Sequence, residues 1–428
     1  MNFVMVLFLW FYRKFFGEPN ERVERFIKNL GYFAIGFIIA KVFSLGFQIY
    51  AGRVLGPALY GDLSLIIALS GLFFIPMLFG IDTAMVKYLS SERREKKRII
   101  STGIPMIAIF TILSFVVLWL LGDFIAPFFS VSSEIFFLGI ALALGYTIWI
   151  TFKDTSQGLL QIKKNALMEI IWAFSSFAIM FVAFLLYGAG MFYAFLALFI
   201  AYIISCFVML PEIIRNMRKK YIESLWAKRL LRYGVFSILV MVSAAVLINM
   251  DKIFIKIFLD SEAVGIYKAY SLMTTMVTLS LLTIFATVFF PESSMNENKR
   301  GILKKLWKTF KFLPIYYFGM LAVQYVVILL YGYPINFVYL LIFPLAACVM
   351  VPFTMHNWFA ASIGQSGIKL SSYAILSAAI INISLNIYLI PMFGITGAVT
   401  STIIAYFVPN IALMHKLNNV LKTLPSIV

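Results

Sequence analysis

Five charged residues lie within, or at the outer ends of, long apolar stretches: Lys41, Arg53, Asp251, Lys252 and Lys256. A charge near the centre of a bilayer costs about 2.5–3.5 kcal/mol on insertion scales, so residues kept there are candidates for a binding site. Four of the five are cationic, and basic side chains suit an anion such as a phosphate. The pattern predicts that these residues face a cavity or an anion and bind substrate. In such a site Asp251 would partly neutralise Lys252 or bind a coupling cation.

The spacing of the lysines supports this interpretation but leaves alternatives open. Lys41 lies about eleven residues into the first apolar stretch, which is roughly 16 Å deep at about 1.5 Å per residue. Lys252 and Lys256 are four residues apart and share a helix face, which favours a face that meets water or an anion. The alternatives are a structural ion pair or a snorkelled side chain for Lys41. For Arg53 and the other two lysines, the alternative is anchoring at the outer interface.

Other polar residues in the apolar stretches are better explained by packing or by an interfacial position. Asn382 and Asn386 share a helix face, which predicts interhelical hydrogen bonds. His356 is expected to be a hydrogen-bonded packing residue, and Asp82 is expected near the cytoplasmic interface. The remaining candidates of this kind are Glu169 and Lys268, near the starts of their stretches.

The composition of the chain indicates what kind of secondary-structure element positions these residues. The chain has 428 residues, of which 62% are apolar and 12% are charged. Soluble domains average about 45–50% apolar and about 25% charged, so a soluble enzyme and a disordered chain are both excluded. We predict an all-α polytopic membrane protein, because each apolar run is long enough for a helix to span a bilayer. There are twelve such runs: 30–51, 60–83, 99–121, 134–153, 166–187, 191–210, 232–257, 264–290, 312–331, 335–358, 371–390 and 395–414.

Basic residues recur at every second joint between these runs, as the positive-inside rule requires. Both termini are therefore expected to be cytoplasmic. Most of the formal net charge of +17 is explained by this topology, so nucleic-acid binding is not expected. The basic joints are Arg13 to Lys28, Arg93 to Arg98, Lys153 to Lys164, Arg215 to Arg229, Lys299 to Lys311, and Lys369.

An internal repeat relates the two halves of the chain at an offset of 204 residues. Leu55 aligns with Leu259, and Gly61 aligns with Gly265. Six spans in each half give both halves the same orientation. This arrangement places a pseudo-twofold axis along the membrane normal and suits alternating access. The predicted organisation is a cytoplasmic or interfacial leader (1–28), a six-helix lobe (29–210), a basic linker (211–231), a second six-helix lobe (232–415) and a cytoplasmic tail (416–428).

The sequence contains no nucleotide-binding loop, no nucleophile motif and no metal-ligand spacing. We therefore expect a transporter rather than an enzyme, with no metal and no cofactor. Transport would be driven by the substrate gradient, the membrane potential or an ion gradient, with Na⁺ or H⁺ as the coupling ion.

Several segments resemble the polysaccharide biosynthesis (Wzx-type) flippases of the multidrug/oligosaccharidyl-lipid/polysaccharide exporter superfamily. Residues 52–64, GRVLGPALYGDLS, are similar to the first-loop signature of that family. The second half resembles the family at 251–259, 264–269, 381–386, 390–391 and 394–398. Arg53 and Asp251 occupy matching motif positions.

The resemblance implies a two-lobed, MATE-like exporter with a cationic central cavity. It implies that the protein moves a polyprenyl pyrophosphate-linked oligosaccharide from the cytoplasmic to the outer leaflet of the cell (plasma or inner) membrane. Membrane lipids and glycan-assembly enzymes are the expected partners, and a monomer is the expected state. The alternative is a multidrug or metabolite cation antiporter of the same superfamily, whose cavity would be acidic or apolar.

Overall fold

The computed structural model describes residue 13 and residues 21–218, 221–295 and 298–423, so the predicted interfacial run 1–12 lies outside the described residues. Every regular element within the described ranges is helical, which confirms the all-α fold class. The principal helices are α1 (Glu21–Leu78), α2 (Ile81–Ser91), α3 (Lys96–Leu120), α4 (Ser133–Gly158), α5 (Ile162–Tyr187), α6 (Met191–Cys206), α7 (Leu210–Asn216), α8 (Ser224–Phe258), α9 (Ser261–Leu272), α10 (Leu279–Met295), α11 (Lys299–Thr309), α12 (Leu313–Tyr331), α13 (Phe337–Ala361), α14 (Gln365–Phe393) and α15 (Ile395–Thr423).

Among the described residues, nine helices are long and apolar enough to cross a membrane. The number is ten if the bent pair α6 and α7 forms one span. The twelve predicted apolar runs fall on helices, and the lower number reflects where helices are joined or divided. Helix α1 consists of two helical segments joined at Gly56 and carries the first run and most of the second, whereas the eighth run is divided among α9, a π-helical segment (Met273–Thr278) and α10.

Two backbone breaks shape the first part of the chain. Gly56 has φ 72° and ψ 171°, which interrupts α1 just before Pro57. Phe79 and Gly80 both have positive φ, at 51° and 68°, and they separate α1 from α2. Glycine tolerates this left-handed region because it has no Cβ. The second break starts a new helix whose first turn contains Asp82.

The chain forms two compact units. One is Gly36–Ile266, and the other contains the chain from Tyr267 onward. Helix α8, which the repeat assigns to the second half, belongs to the first compact unit. The lobe boundaries deduced from the repeat therefore stay a prediction, and all five predicted substrate-site residues lie within Gly36–Ile266.

The core of Gly36–Ile266 includes a cluster in which α2 packs against α3 and α8. Its buried members are Leu78, Ile81, Ala84, Met85, Leu89, Ile99, Ile100, Ile107, Trp226 and Leu230. Helix α4 packs against α2, α3, α5 and α6. This packing fixes the positions of the polar side chains described next.

Candidate substrate site

The charged segment of α8 is buried within its unit. Asp251 is 3% exposed and Lys252 is 6% exposed. The Lys252 ammonium donates to the carbonyl oxygen of Ile248 at 2.8 Å and to Asn249 Oδ1 at 3.4 Å. Asn249 in turn packs against Gly71, where a Cβ would lie only 2.7 Å from Asn249 Nδ2. A lysine enclosed in this way is placed for a role inside the protein rather than for anchoring at the lipid surface.

Lys256 takes part in a chain of polar contacts at the end of α8. Its ammonium donates to Ser261 Oγ at 2.7 Å, and Ser261 Oγ donates to Asp62 Oδ1 at 2.5 Å. Asp62 lies on α1 after the Gly56 break, so the chain connects α1, α8 and the start of α9. Lys252 and Lys256 share one helix face, as their spacing predicts, but these contacts give them different partners.

Arg53 lies on α1, three residues before the break at Gly56, and is exposed. Its role in phosphate binding stays a prediction.

Lys41 lies beside an ion pair that sequence reasoning did not identify. Its ammonium is 4.7 Å from the centroid of the Phe37 ring, and Glu169 and Lys153 are its electrostatic neighbours. Lys153 on α4 and Glu169 on α5 form a salt bridge, and Asn165 Nδ2 donates to the carbonyl oxygen of Lys153 at 3.0 Å. Lys41 therefore lies near a carboxylate that is already paired with Lys153, and these three residues carry one more positive than negative charge.

Four aromatic rings pack next to this group. Trp149 lies 4.7 Å below the Lys153 ammonium, and Trp172 stacks on Tyr202 with ring centroids 5.6 Å apart. Tyr146 lies against both Trp149 and Tyr202. A surrounding of this kind excludes water and strengthens the electrostatic interactions of the charges it encloses.

Sequence reasoning placed Lys153 in a cytoplasmic joint and did not select Asp154. Helix α4 continues to Gly158, about one turn beyond the predicted end of its apolar run at residue 153. A run of apolar residues ends where polarity begins, whereas a helix ends where its hydrogen bonds stop. Extending each run by one helical turn would have brought both residues into consideration.

The packing roles predicted for three polar residues of the other unit are confirmed. Asn382 Nδ2 donates across to Thr402 Oγ1 on α15 at 3.4 Å, and Asn386 Nδ2 donates to Asn382 Oδ1 at 3.2 Å. His356 Nδ1 lies 2.9 Å from Asn410 Oδ1. These contacts support helix packing.

The fold is that of a multi-pass, all-α membrane protein, and comparison with known proteins gives the family. The chain belongs to the polysaccharide biosynthesis protein family, whose model matches residues 26–297. An uncharacterized membrane protein of Methanocaldococcus jannaschii is 23% identical over 445 residues, covering 93% of this chain and 85% of that protein.

Solved transporters share the fold. A multidrug resistance MATE family transporter of the MOP superfamily, in an inward-facing conformation, superposes with a TM-score of 0.70 at 14% identity, over 90% of this chain and 96% of that one. The lipid II flippase MurJ, inward closed, gives a TM-score of 0.69 at 17% identity, over 90% and 87%. A MOP superfamily transporter from Pyrococcus furiosus gives 0.58 at 14% identity, over 93% and 96%. The fold class predicted from the sequence is confirmed.

Proposed function

We propose that this protein is a flippase that moves a lipid-linked, pyrophosphate-bearing oligosaccharide from the cytoplasmic to the outer leaflet of the cell membrane. Its family is named for polysaccharide biosynthesis, and its fold is shared with transporters and with a lipid II flippase. The observation that carries the proposal is the position of two ammonium groups, those of Lys41 and Lys153, beside the single carboxylate of Glu169.

That arrangement favours an anionic substrate. A charge inside a membrane protein is costly, so an anion that binds beside these two ammonium groups would stabilise them. The phosphates of a lipid-linked sugar are such anions, and ammonium groups bind them as point charges. Lys252, buried on α8, adds a third cation in the same compact unit. Arg53 and Lys256 would contact the headgroup as it leaves the site.

A cation antiporter is the second candidate, and the buried carboxylate of Asp251 is the observation that favours it. An acidic site would select cationic drugs rather than pyrophosphates. Growth assays with a panel of cationic drugs on a deletion strain separate the two functions. Hypersensitivity with normal surface glycan supports the antiporter, and loss of surface glycan without hypersensitivity supports the flippase.

The remaining features of the proposal concern topology, energy and partners. Both termini face the cytoplasm, and the protein acts as a monomer in the plasma or inner membrane. Alternating access is driven by an ion gradient or by the membrane potential, with H⁺ or Na⁺ as the coupling ion. Membrane lipids surround the protein, and glycan-assembly enzymes deliver the substrate at the cytoplasmic face.

Reconstitution into liposomes tests the proposal directly. A fluorescent pyrophosphate-linked oligosaccharide is placed in both leaflets, and its transfer is followed by a membrane-impermeant quencher. We expect Lys41→Glu and Lys252→Glu to abolish transfer, and Lys41→Gln and Lys252→Gln to reduce it while the protein still inserts. Lys228→Glu, at an exposed position, is the matched control and should transfer normally. Unimpaired transfer by both charge-reversal variants would overturn the cationic-site model.

A further inference from the structure

Asp82 is a buried carboxyl with an incomplete set of partners. It is 4% exposed and lies in the first turn of α2. The Thr83 hydroxyl is 3.4 Å from Asp82 Oδ2, and backbone amides at the start of α2 face the carboxyl. Asp82 Oδ1 is buried with no hydrogen-bond donor among the described residues. An ionised carboxylate oxygen in that position would lose its hydration without replacement.

The neighbour of Asp82 on α4 is another carboxyl. Helix α2 packs against α4, and Asp154 is the hydrogen-bonding and electrostatic neighbour of the Asp82 carboxyl. An ionised carboxylate is an acceptor only, so two of them cannot form this contact. Two negative charges at such a separation repel each other strongly, which favours the state in which one proton is shared between the two carboxyls.

We propose that Asp82 and Asp154 form a proton-binding site whose occupancy is linked to binding of the anionic substrate beside Lys41 and Lys153. The proton forms an O–H bond to one carboxyl and a hydrogen bond to the other. On release it passes to water, and the site then holds two negative charges. The linkage rests on the proposed flippase function, whereas the proton site itself does not.

The groups around the pair explain the linkage. On α4, Lys153 directly precedes Asp154, and Tyr146 is an electrostatic neighbour of both carboxyls. On α5, Glu169 pairs with Lys153 and faces Lys41 on α1. Near the starts of α3 and α8, Arg98 pairs with Glu95 and Glu223, and Arg229 pairs with Glu92. The charged residues Asp251, Lys252 and Lys256 lie near the other end of α8.

The direction of the effect follows from charge. When the pair loses its proton, a second carboxylate attracts Lys153 and competes with an anionic ligand for that ammonium. Protonation removes the competitor, so the proton and the anion should favour each other's binding. By linkage the effect is reciprocal.

The start of α2 also packs directly on α8, which carries Asp251 and Lys252. A Cβ on Gly80 would lie 2.4 Å from the carbonyl oxygen of Gly234, and a Cβ on Gly234 would lie 2.7 Å from that of Phe79. Repulsion between deprotonated Asp82 and Asp154 that displaces Asp82 would therefore act at this backbone contact between α2 and α8. This contact gives the proton site a direct mechanical connection to the helix that carries two predicted substrate residues.

Infrared difference spectroscopy of the purified full-length protein tests the proton site without substrate. We expect a protonated carboxyl band that titrates with pH, that is absent in Asp82→Asn and in Asp154→Asn, and that is retained in the exposed control Asp123→Asn. The band should not change when Na⁺ is replaced by choline. A band that survives in both variants, or one removed by Na⁺, would overturn the assignment.

Binding of a polyprenyl pyrophosphate probe in nanodiscs tests the linkage. We expect affinity to fall by about tenfold as pH rises through the titration of the band, which is within the usual range of coupling between sites. Asp154→Asn should bind the probe with no such pH dependence. Wild-type affinity that does not change with pH would overturn the linkage and leave the flippase proposal intact. A titrating band with no probe binding at any pH would contradict the flippase and leave the proton site intact.

Discussion

Gly61 and Gly265, which the internal repeat aligns at an offset of 204 residues, contact each other backbone to backbone. A Cβ on Gly61 would lie 1.7 Å from the carbonyl oxygen of Ser261 and 3.0 Å from the nitrogen of Gly265. A Cβ on Gly265 would lie 1.9 Å from the carbonyl oxygen of Pro57 and 3.1 Å from the nitrogen of Gly61. Pro57 and Ser261 are themselves 204 residues apart, so the contact is reciprocal, as at a local twofold axis.

Alanine at Gly61 or Gly265 should destabilise the protein. Each added methyl group meets backbone atoms that cannot move aside as a side chain can, and overpacking of this kind costs about 1–3 kcal/mol. The thermal unfolding midpoint in detergent is the measurement. The control is Gly319→Ala on α12, where nothing lies within 4 Å of the added Cβ. Equal midpoints for Gly61→Ala and the wild type would show that the two backbones are not in contact.

Removal of the Ser261 hydroxyl should weaken the same region. Ser261 connects the Lys256 ammonium to the Asp62 carboxylate, and hydrogen bonds to charged groups contribute about 1.5–3 kcal/mol. We therefore expect Ser261→Ala to lower the free energy of unfolding by about that amount. Ser294→Ala, at an exposed position, is the matched control. If both serine variants unfold alike, the polar chain does not contribute to stability.

Glu169→Gln should lower the free energy of unfolding by more, because it removes a buried carboxylate and leaves two half-buried ammonium groups close together. Removal of one partner of a buried ion pair costs about 3–5 kcal/mol. In the double variant Glu169→Gln/Lys153→Met the uncompensated charge of Lys153 is also gone, so part of the loss should be recovered. Unfolding free energies of the four proteins in this cycle give the coupling. Additive effects would mean that the two side chains do not interact.

Glu212, in the predicted cytoplasmic linker, should make stability depend on acid. Burial raises the pKa of this carboxyl, but hydrogen bonds from Arg215, Asn216 and Lys164 outweigh burial and lower the pKa from its ordinary 4.5 to about 2. A lowered pKa stabilises the fold above pH 4.5, and this stabilisation is lost as pH falls from 4.5 towards 2.

Unfolding measured from about pH 6 down to about pH 2 checks this effect. Glu212→Gln should show a shallower loss of stability across that window than the wild type. Glu134→Gln, at an exposed position, should follow the wild-type curve. A Glu212→Gln curve parallel to the wild type would exclude the carboxylate as a source of acid sensitivity.

Sequence patterns alone predicted that the chain is a polytopic membrane protein. They also predicted the positions of the apolar runs, the offset of the repeat and the charged residues that lie within apolar stretches. Each of these depends on composition or on spacing along the chain. The alignment of Gly61 with Gly265 in the repeat could be deduced for the same reason, because it depends only on the spacing of residues along the chain. The burial of Asp251 and Lys252 is consistent with the argument that a charge kept in an apolar stretch faces the protein interior.

Only the tertiary structure decided which charges meet. Lys153 and Asp154 follow an apolar run and resemble ordinary joint residues, yet one pairs with Glu169 and the other lies against Asp82. In a water-soluble helix, the apolar stripe shows which face is buried. A helix surrounded by lipid is apolar on every side, so its sequence does not show which neighbouring helix each face will contact. The partners of Lys41, Lys153 and Asp82 are set by helix packing, and that packing becomes visible only in three dimensions.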